Sequence, residues 1–115
     1  MSKRKVIMNE LSAHEINKLI LSKLGITSDC FINDKNQTIT RHCIAGATLD
    51  QAYGIDYCQN NEDIMPLAWQ HKINITWRCH VWNASVDSDD ESYTSDINPL
   101  RAIAQCYLNI NSRKL

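Results

Sequence analysis

The chain has 115 residues, a hydrophobic fraction of 43% and a formal net charge of −1. This length favours a single domain, and the composition is ordinary for a soluble globular protein. The balanced charge argues against nucleic acid as a partner, because a basic surface supplies most non-specific affinity for phosphates. No apolar run approaches the roughly 20 residues that span a bilayer. We therefore expect a cytoplasmic protein without a membrane segment.

The cysteines are odd in number and irregular in spacing. They are Cys30, Cys43, Cys58, Cys79 and Cys106. A secreted disulfide framework favours an even count, so we expect reduced thiols that lie mostly in the core. The basic residues 3–5 resemble the start of a signal peptide, but Glu10 and His14 interrupt the apolar stretch that should follow. Residues 1–10 are predicted to be a flexible leader, and residues 11–112 a single domain.

The first helix has a complete start signal. Ser12 and Glu15 have the spacing of a capping box, in which each side chain binds the other residue's backbone N–H. Gly25 is suited to the left-handed conformation that ends a helix. The sequence therefore predicts a helix over 13–24. Its apolar stripe is Ile16, Leu19, Ile20 and Leu24.

The segment after this helix has strand and turn signals. Residues 30–32 and 38–44 are predicted to be short strands, because they are rich in β-branched and apolar residues. Residues 33–36, with the sequence Asn-Asp-Lys-Asn, suit a turn, so we expect a hairpin. Residues 49–57 stay open between a short helical turn and an edge strand.

A second helix start lies at residues 60–63. Acidic side chains in a first turn complement the positive end of the helix dipole. Pro66 fits best in the first turn, where a missing N–H does no harm, which favours Asp63 as the N-cap. The predicted buried face is Ile64, Leu67, Ala68 and His71.

The strongest strand pattern covers residues 73–81, where apolar and polar residues alternate and Trp77 belongs to the inward set. The alternation then changes parity, which predicts a bulge near residues 81–83. Residues 87–90 are predicted to form the tip of a hairpin that returns through residues 92–95.

The last helix begins at Asn98, a good N-cap, followed by Pro99 at the first helical position. Its predicted stripe is Leu100, Ile103, Ala104, Tyr107 and Leu108. Arg101, Gln105 and Asn109 are expected to face water. The order of elements predicts an α+β fold, in which about three helices pack on one face of a small antiparallel sheet made of two hairpins.

Two dipeptides carry possible metal ligands, His42-Cys43 and Cys79-His80. Four such residues are a zinc set, but neighbours in a strand point to opposite faces, so one dipeptide cannot easily supply two ligands. We therefore expect buried Cys43 and Cys79 and exposed His42 and His80, with no cofactor. A small metal-binding protein or enzyme that uses these four residues is the alternative hypothesis.

The remaining candidate site residues are acidic or aromatic. Residues 87–91 lack the glycine and the length of a calcium loop, so they are expected to be a solvated tip that could contact a basic partner. Two tryptophans lie outside the main core patterns: either both widen the core, or at least one is partly exposed and serves as an interface anchor. The predicted partner-binding residues are Asp87, Asp89, Asp90, Glu91, Trp82 and Trp69.

Three blocks of the sequence resemble a known family. They are Leu-Ser-Ala-His-Glu-Ile-Asn-Lys at 11–18, Asp-Tyr-Cys-Gln-Asn at 56–60 with its continuation to residue 75, and Asn-Pro-Leu-Arg-Ala at 98–102. In order and spacing they resemble the NinX-like proteins of phages and prophages. The chain has Met65-Pro66 where that family has Trp-Pro, and residues 30–46 match poorly.

The resemblance implies a phage or prophage protein that acts in the bacterial cytoplasm, and it carries over no catalytic residue. The function we expect is that of a non-enzymatic accessory protein that binds a host or phage protein complex. Inhibition of a host defence complex, such as a CRISPR effector, is one specific version of this expectation.

Overall fold

A computed structural model describes residues 11–43, 51–87 and 89–110 of the chain. The expected α+β fold class is confirmed. Three helices, one 3₁₀ turn and six strands lie within these ranges, in an order that alternates helices with short runs of strands. The elements are α1 (Ala13–Leu24), a 3₁₀ turn (Thr27–Asp29), β1 (Cys30–Asn33), β2 (Thr38–Cys43), β3 (Gln51–Gly54), α2 (Asn61–His71), β4 (Asn74–Arg78), β5 (Val81–Val86), β6 (Asp89–Asp96) and α3 (Pro99–Asn109).

The strands form two three-stranded antiparallel sheets, in the orders β1-β2-β3 and β4-β5-β6. The predicted first hairpin is confirmed, and Ile32 pairs with Ile39 across it. The segment left open at residues 49–57 contributes β3, which is an edge strand beside β2. Residues 44–50 lie outside the described ranges.

The predicted first helix is confirmed together with its capping box. The Ser12 hydroxyl accepts a hydrogen bond from the Glu15 backbone N–H at 3.1 Å, and the Glu15 carboxylate accepts one from the Ser12 N–H at 3.1 Å. Gly25 ends the helix with a φ of 76°, in the left-handed region that glycine tolerates best. The predicted stripe is wrong at Leu19, which is 42% exposed, while Leu21 is buried instead.

The prediction that Asp63 caps the second helix is wrong, because α2 has Asn60 as its N-cap. The Asp63 carboxylate instead accepts a hydrogen bond from the backbone N–H of Asp56 at 2.9 Å, outside the helix. Pro66 is consequently the sixth helical residue rather than the third. A proline at this depth removes one hydrogen bond of the helix.

The predicted long strand over 73–81 is wrong, because the chain reverses between β4 and β5 at Cys79 and His80. These two residues have φ values of 57° and 66°. Positive φ at both loop positions is the type I′ hairpin turn, which usually contains Asn-Gly. The parity change therefore comes from a turn and not from the bulge predicted at residues 81–83. The register irregularity that β5 does have lies between Ala84 and Val86.

The third helix begins at Asn98 as predicted, and the Asn98 side chain accepts from the backbone N–H of Leu100 at 2.9 Å. The expectation that Gln105 and Arg101 face water is wrong. Gln105 is 2% exposed and donates to the Asp96 carboxylate at 3.0 Å. The Arg101 guanidinium is partly buried and donates to the same carboxylate at 3.0 Å.

The main core lies between the helices. The third helix, α3, contacts both α1 and α2, and it also covers one face of the second sheet. At that contact Ala84 of β5 packs against Ala102 and Cys106 of α3. The main buried cluster consists of Ile16, Ile20, Leu21, Ile39, Ile55, Tyr57, Cys58, Ile64, Leu67, Ala68, Ile103, Ala104, Tyr107 and Ile110. None of the helices in the described ranges is both long enough and apolar enough to cross a bilayer.

Candidate binding surfaces

Trp77 and Trp82 form an aromatic pair near the turn end of the β4–β5 hairpin, in which Trp82 is partly buried against the contact between β5 and α3. They are partners in the strand register, with ring centroids 5.3 Å apart and planes tilted by 57°. The prediction that Trp77 lies in the core is wrong, since it is 55% exposed. Trp77 does lie on the predicted inward face of β4, which it shares with Ile75. Ile75 packs on the core, but Trp77 lies beyond the edge of the core.

The predicted acidic tip lies at the other end of β5 from Trp82. Asp87 accepts a hydrogen bond from the Asn74 side chain at 2.7 Å, and Asp89 accepts one from the backbone N–H of Glu91 at 3.1 Å. The side chain of Asp90 lies outside the described part of the structure. Five strand residues at about 3.3 Å each separate Trp82 from Asp87 by roughly 16 Å. The tip and Trp82 are therefore separate surfaces.

Trp69 lies on α2, in a third place. Its side chain is 70% exposed, so the interpretation in which both unassigned tryptophans widen the core is wrong, and the alternative of an exposed tryptophan is correct for Trp69. It forms one end of a shallow groove of about 540 Å³. The groove is lined by Asn61, Glu62, Met65, Pro66 and Trp69. The last four of these recur at helical spacing, so they form one face of α2.

The groove has an acidic and an apolar end. Residues 55–71 contain three carboxylates and no lysine or arginine. Two of these carboxylates, Asp56 and Asp63, accept hydrogen bonds from backbone N–H groups. Glu62, by contrast, has no hydrogen bond or ion pair with the described residues. Because Pro66 has no N–H, the backbone carbonyl of Glu62 also lacks its usual helical donor.

The three sequence blocks that carry the family resemblance meet in one polar network. Asn17 of the first block donates to the Asp56 carboxylate at 3.1 Å and accepts from the Tyr57 N–H at 2.9 Å. Asn98 of the third block donates to the Cys58 carbonyl at 2.9 Å. The network fixes the loop that precedes α2 to both other helices. These blocks therefore have a structural role in holding the helices together.

The geometry gives no support to a thiol nucleophile at the buried cysteines. Burial raises the pKa of Cys58 to about 12 and the pKa of Cys106 to about 11. A nucleophilic cysteine needs a lowered pKa, because the thiolate is the reactive form. Cys79, predicted to be buried, is exposed at the hairpin turn.

The proposed metal ligands form no complete set among the described side chains. Within that part of the chain, no group of three or more His, Cys, Asp or Glu residues could hold a metal ion. The side chains of His42 and Cys43 lie outside it. Cys79 and His80 lie in a turn, so the strand argument against their pairing does not apply to them.

Lys23 is a polar residue whose role no local sequence pattern indicates. Its ammonium group donates to the backbone carbonyls of Tyr107 at 2.5 Å and Ile110 at 2.8 Å, and lies 4.4 Å from the centre of the Tyr107 ring. Burial lowers the pKa of Lys23. The residue joins the end of α1 to the end of α3, a contact between residues more than 80 positions apart that no local pattern indicates.

His14 is a second residue of this kind. It is 6% exposed, and its Nε2 lies 2.8 Å from the Asp34 carboxylate in the β1–β2 turn. Lys18 donates to the same carboxylate at 3.0 Å. The hydrogen bonds from His14 and Lys18 lower the pKa of Asp34. The contact ties α1 to the first hairpin.

No protein-family model, no curated protein and no solved structure matches this chain. The three surfaces described above are therefore the basis for assigning a function. The resemblance to NinX-like proteins stays an expectation that depends on three short sequence blocks.

Proposed function

We propose that this protein is a non-enzymatic accessory protein that binds a host or phage protein complex through the α2 groove. The observation that carries the proposal is the 70% exposure of Trp69 within that groove. Tryptophan is the residue type most enriched among the anchors of protein interfaces. Without a partner, the exposed apolar surface of this side chain stays in water and contributes no hydrophobic stabilisation.

The α2 groove is a better first choice than the other two surfaces. At the acidic tip, Asp87 and Asp89 already accept hydrogen bonds from this chain, so fewer of their carboxylate lone pairs are open to a partner. Trp77 and Trp82 contact each other, which covers part of each ring. Trp69 has no such aromatic neighbour among the described residues. It is also the most exposed of the three tryptophans.

The biological setting that we propose is a bacterial cell carrying a phage or prophage. It is supported by the resemblance to NinX-like proteins and by the small size of the chain. Inhibition of a host defence complex, such as a CRISPR effector, is the specific version. In this version, the α2 groove covers the surface with which the defence complex binds its own target.

The binding proposal is tested with three forms of the tagged protein as baits in lysate of phage-infected bacteria. They are the wild type, Trp69→Ala, and Gln70→Ala as a matched control at the next exposed position of α2. We expect quantitative mass spectrometry to find a complex on the wild type and on Gln70→Ala, and not on Trp69→Ala. Identical protein sets on all three baits would refute a role for the groove.

The defence version has its own test. Phage plating is measured on a bacterial strain whose CRISPR effector targets that phage, with each of the three forms expressed in turn. We expect the wild type and Gln70→Ala to restore plating and Trp69→Ala to fail. If the wild type leaves plating unchanged, the defence version is wrong, while the bait experiment still decides whether the groove binds a partner.

A further inference from the structure

We propose that the α2 groove binds a partner segment that carries a basic side chain and an apolar side chain about 10 Å apart. This inference rests on the proposed function and names the chemistry of the partner. The basic side chain lies at Glu62, and the apolar one packs on Trp69.

Charge complementarity identifies the basic side chain. The Glu62 carboxylate is exposed and has no ion pair with the described residues, and its backbone carbonyl lacks a helical donor because of Pro66. The carboxylate is the acceptor open to a partner, because the Pro66 ring lies against the Glu62 carbonyl. No lysine or arginine occurs between residues 55 and 71 to compete for it. An incoming arginine or lysine supplies a donor and the opposite charge.

The helix dipole works against a cation at this position, since the first turn of α2 has partial positive charge. Its size is equivalent to roughly half an elementary charge, while Glu62 and Asp63 in the same turn carry one full negative charge each. The net field at this end of the groove is therefore negative. An acidic partner segment is disfavoured for the same reason.

The apolar end of the groove is formed by Met65, Pro66 and Trp69. Pro66 and Trp69 are exposed and Met65 is half-buried, so an apolar side chain placed there removes water from three neighbouring surfaces. Glu62 and Trp69 are seven residues apart on the helix, which at about 1.5 Å per residue is about 10 Å. A partner segment covers this span with both side chains on one face when they are three residues apart in a polyproline II helix, or seven apart in an α-helix.

The test uses the full chain, isotope-labelled for amide chemical-shift measurements, and two short synthetic peptides. One peptide has arginine and leucine three residues apart in a proline-rich sequence that adopts the polyproline II conformation, and the other has them seven apart in an alanine-rich helix. In the matched control peptides, glutamate replaces arginine or serine replaces leucine. We expect one arginine–leucine peptide to shift amides of residues 61–70, with affinity that falls as salt rises.

Three protein variants complete the test. Trp69→Ala should weaken binding by at least roughly tenfold, as the loss of an interface anchor does. Glu62→Gln should weaken it by roughly threefold, the size expected for an exposed ion pair. Gln70→Ala should bind like the wild type.

The inference is overturned if both arginine–leucine peptides leave residues 61–70 unshifted, or if the glutamate peptides bind equally well. Shifts in these residues that depend on protein concentration without peptide would assign the groove to a second copy of the chain and would also overturn it. If the bait experiment finds a Trp69-dependent complex while these peptides fail, the binding function stands and only the partner chemistry proposed for it is wrong.

Discussion

Asn17 and Asp56, 39 residues apart in sequence, are joined by a hydrogen bond of 3.1 Å from the Asn17 amide to the Asp56 carboxylate. The other end of the same amide accepts the backbone N–H of Tyr57, which is buried. One side chain of α1 therefore holds the loop that leads into α2. This loop sets the start of α2, and with it the position of Glu62 at the first turn of the groove.

Replacing Asn17 by alanine should therefore destabilise the whole fold. Loss of both hydrogen bonds leaves the Tyr57 N–H buried without an acceptor, which costs about 1–3 kcal/mol. Urea denaturation of Asn17→Ala measures the change. Ser22→Ala, an exposed position on the same helix, is the control and should change the free energy of unfolding by less than about 0.5 kcal/mol. Equal stability of the two variants would show that the network contributes nothing.

Asp96→Ala should be strongly destabilising. The carboxylate accepts hydrogen bonds from the Asn98 N–H, the Arg101 guanidinium and the Gln105 amide, each at 3.0 Å. Removing it leaves the buried Gln105 amide and the partly buried Arg101 charge without this acceptor, which costs about 2–3 kcal/mol. Thermal and urea unfolding of Asp96→Ala and of Asp87→Ala, at the exposed tip, give the comparison. A loss no larger than that of Asp87→Ala would contradict the prediction.

Stability should fall as the pH rises above about 9, because of the two buried thiols. Burial raises the pKa of Cys58 from 9.0 to about 12 and of Cys106 from 9.0 to about 11. The unfolded chain therefore loses these protons at a lower pH than the native state does. Where the native state holds more protons, raising the pH favours unfolding, by up to about 1.4 kcal/mol per pH unit for each thiol.

The free energy of unfolding in urea, measured at several pH values above and below 9, gives this slope. Cys58→Ala should have a shallower slope than the wild type, because one of the two thiols is gone. Cys79→Ser, at an exposed thiol, is the control and should keep the wild-type slope. Parallel curves for the wild type and Cys58→Ala would rule out the buried thiol as the cause.

The Cys79-His80 turn should become more stable when its residues are replaced by those that suit it. Both residues have positive φ, a conformation that costs a side chain other than glycine or asparagine about 1 kcal/mol or more. The double variant Cys79→Asn, His80→Gly should therefore raise the free energy of unfolding by about 1–2 kcal/mol. Urea denaturation measures it. His80→Val, which is β-branched, should lower stability, and the opposite order of the two variants would refute the turn assignment.

The sequence by itself determined the elements whose signals are local. The capping box at Ser12 and Glu15 and the N-cap at Asn98 were predicted correctly, because each acts on backbone groups within the next three residues. The first hairpin was predicted for the same reason, from turn residues between two short strands. Such signals need no knowledge of what packs on the element.

Where the local signal was ambiguous, the prediction failed. The alternation of apolar and polar residues continues through Cys79 and His80, and this turn lacks the usual Asn-Gly pair. The sequence therefore predicts one strand where the structure has two. The sequence predicts a first-turn position for Pro66, because a proline deep in a helix is unfavourable. The position of Asp63 was instead decided by its hydrogen bond to the backbone of Asp56, which belongs to the preceding loop.

Only the tertiary structure decided what is buried and what is exposed. Gln105 is polar yet buried, because Asp96 lies where its amide can donate, while Trp77 is apolar yet exposed, because the core ends before it. The candidate groove depends on the same fact: Trp69 lies on the side of α2 that no described element covers. Burial follows from contacts between segments that are distant in sequence. The spacing of apolar residues within one segment carries no information about which other segments will cover it.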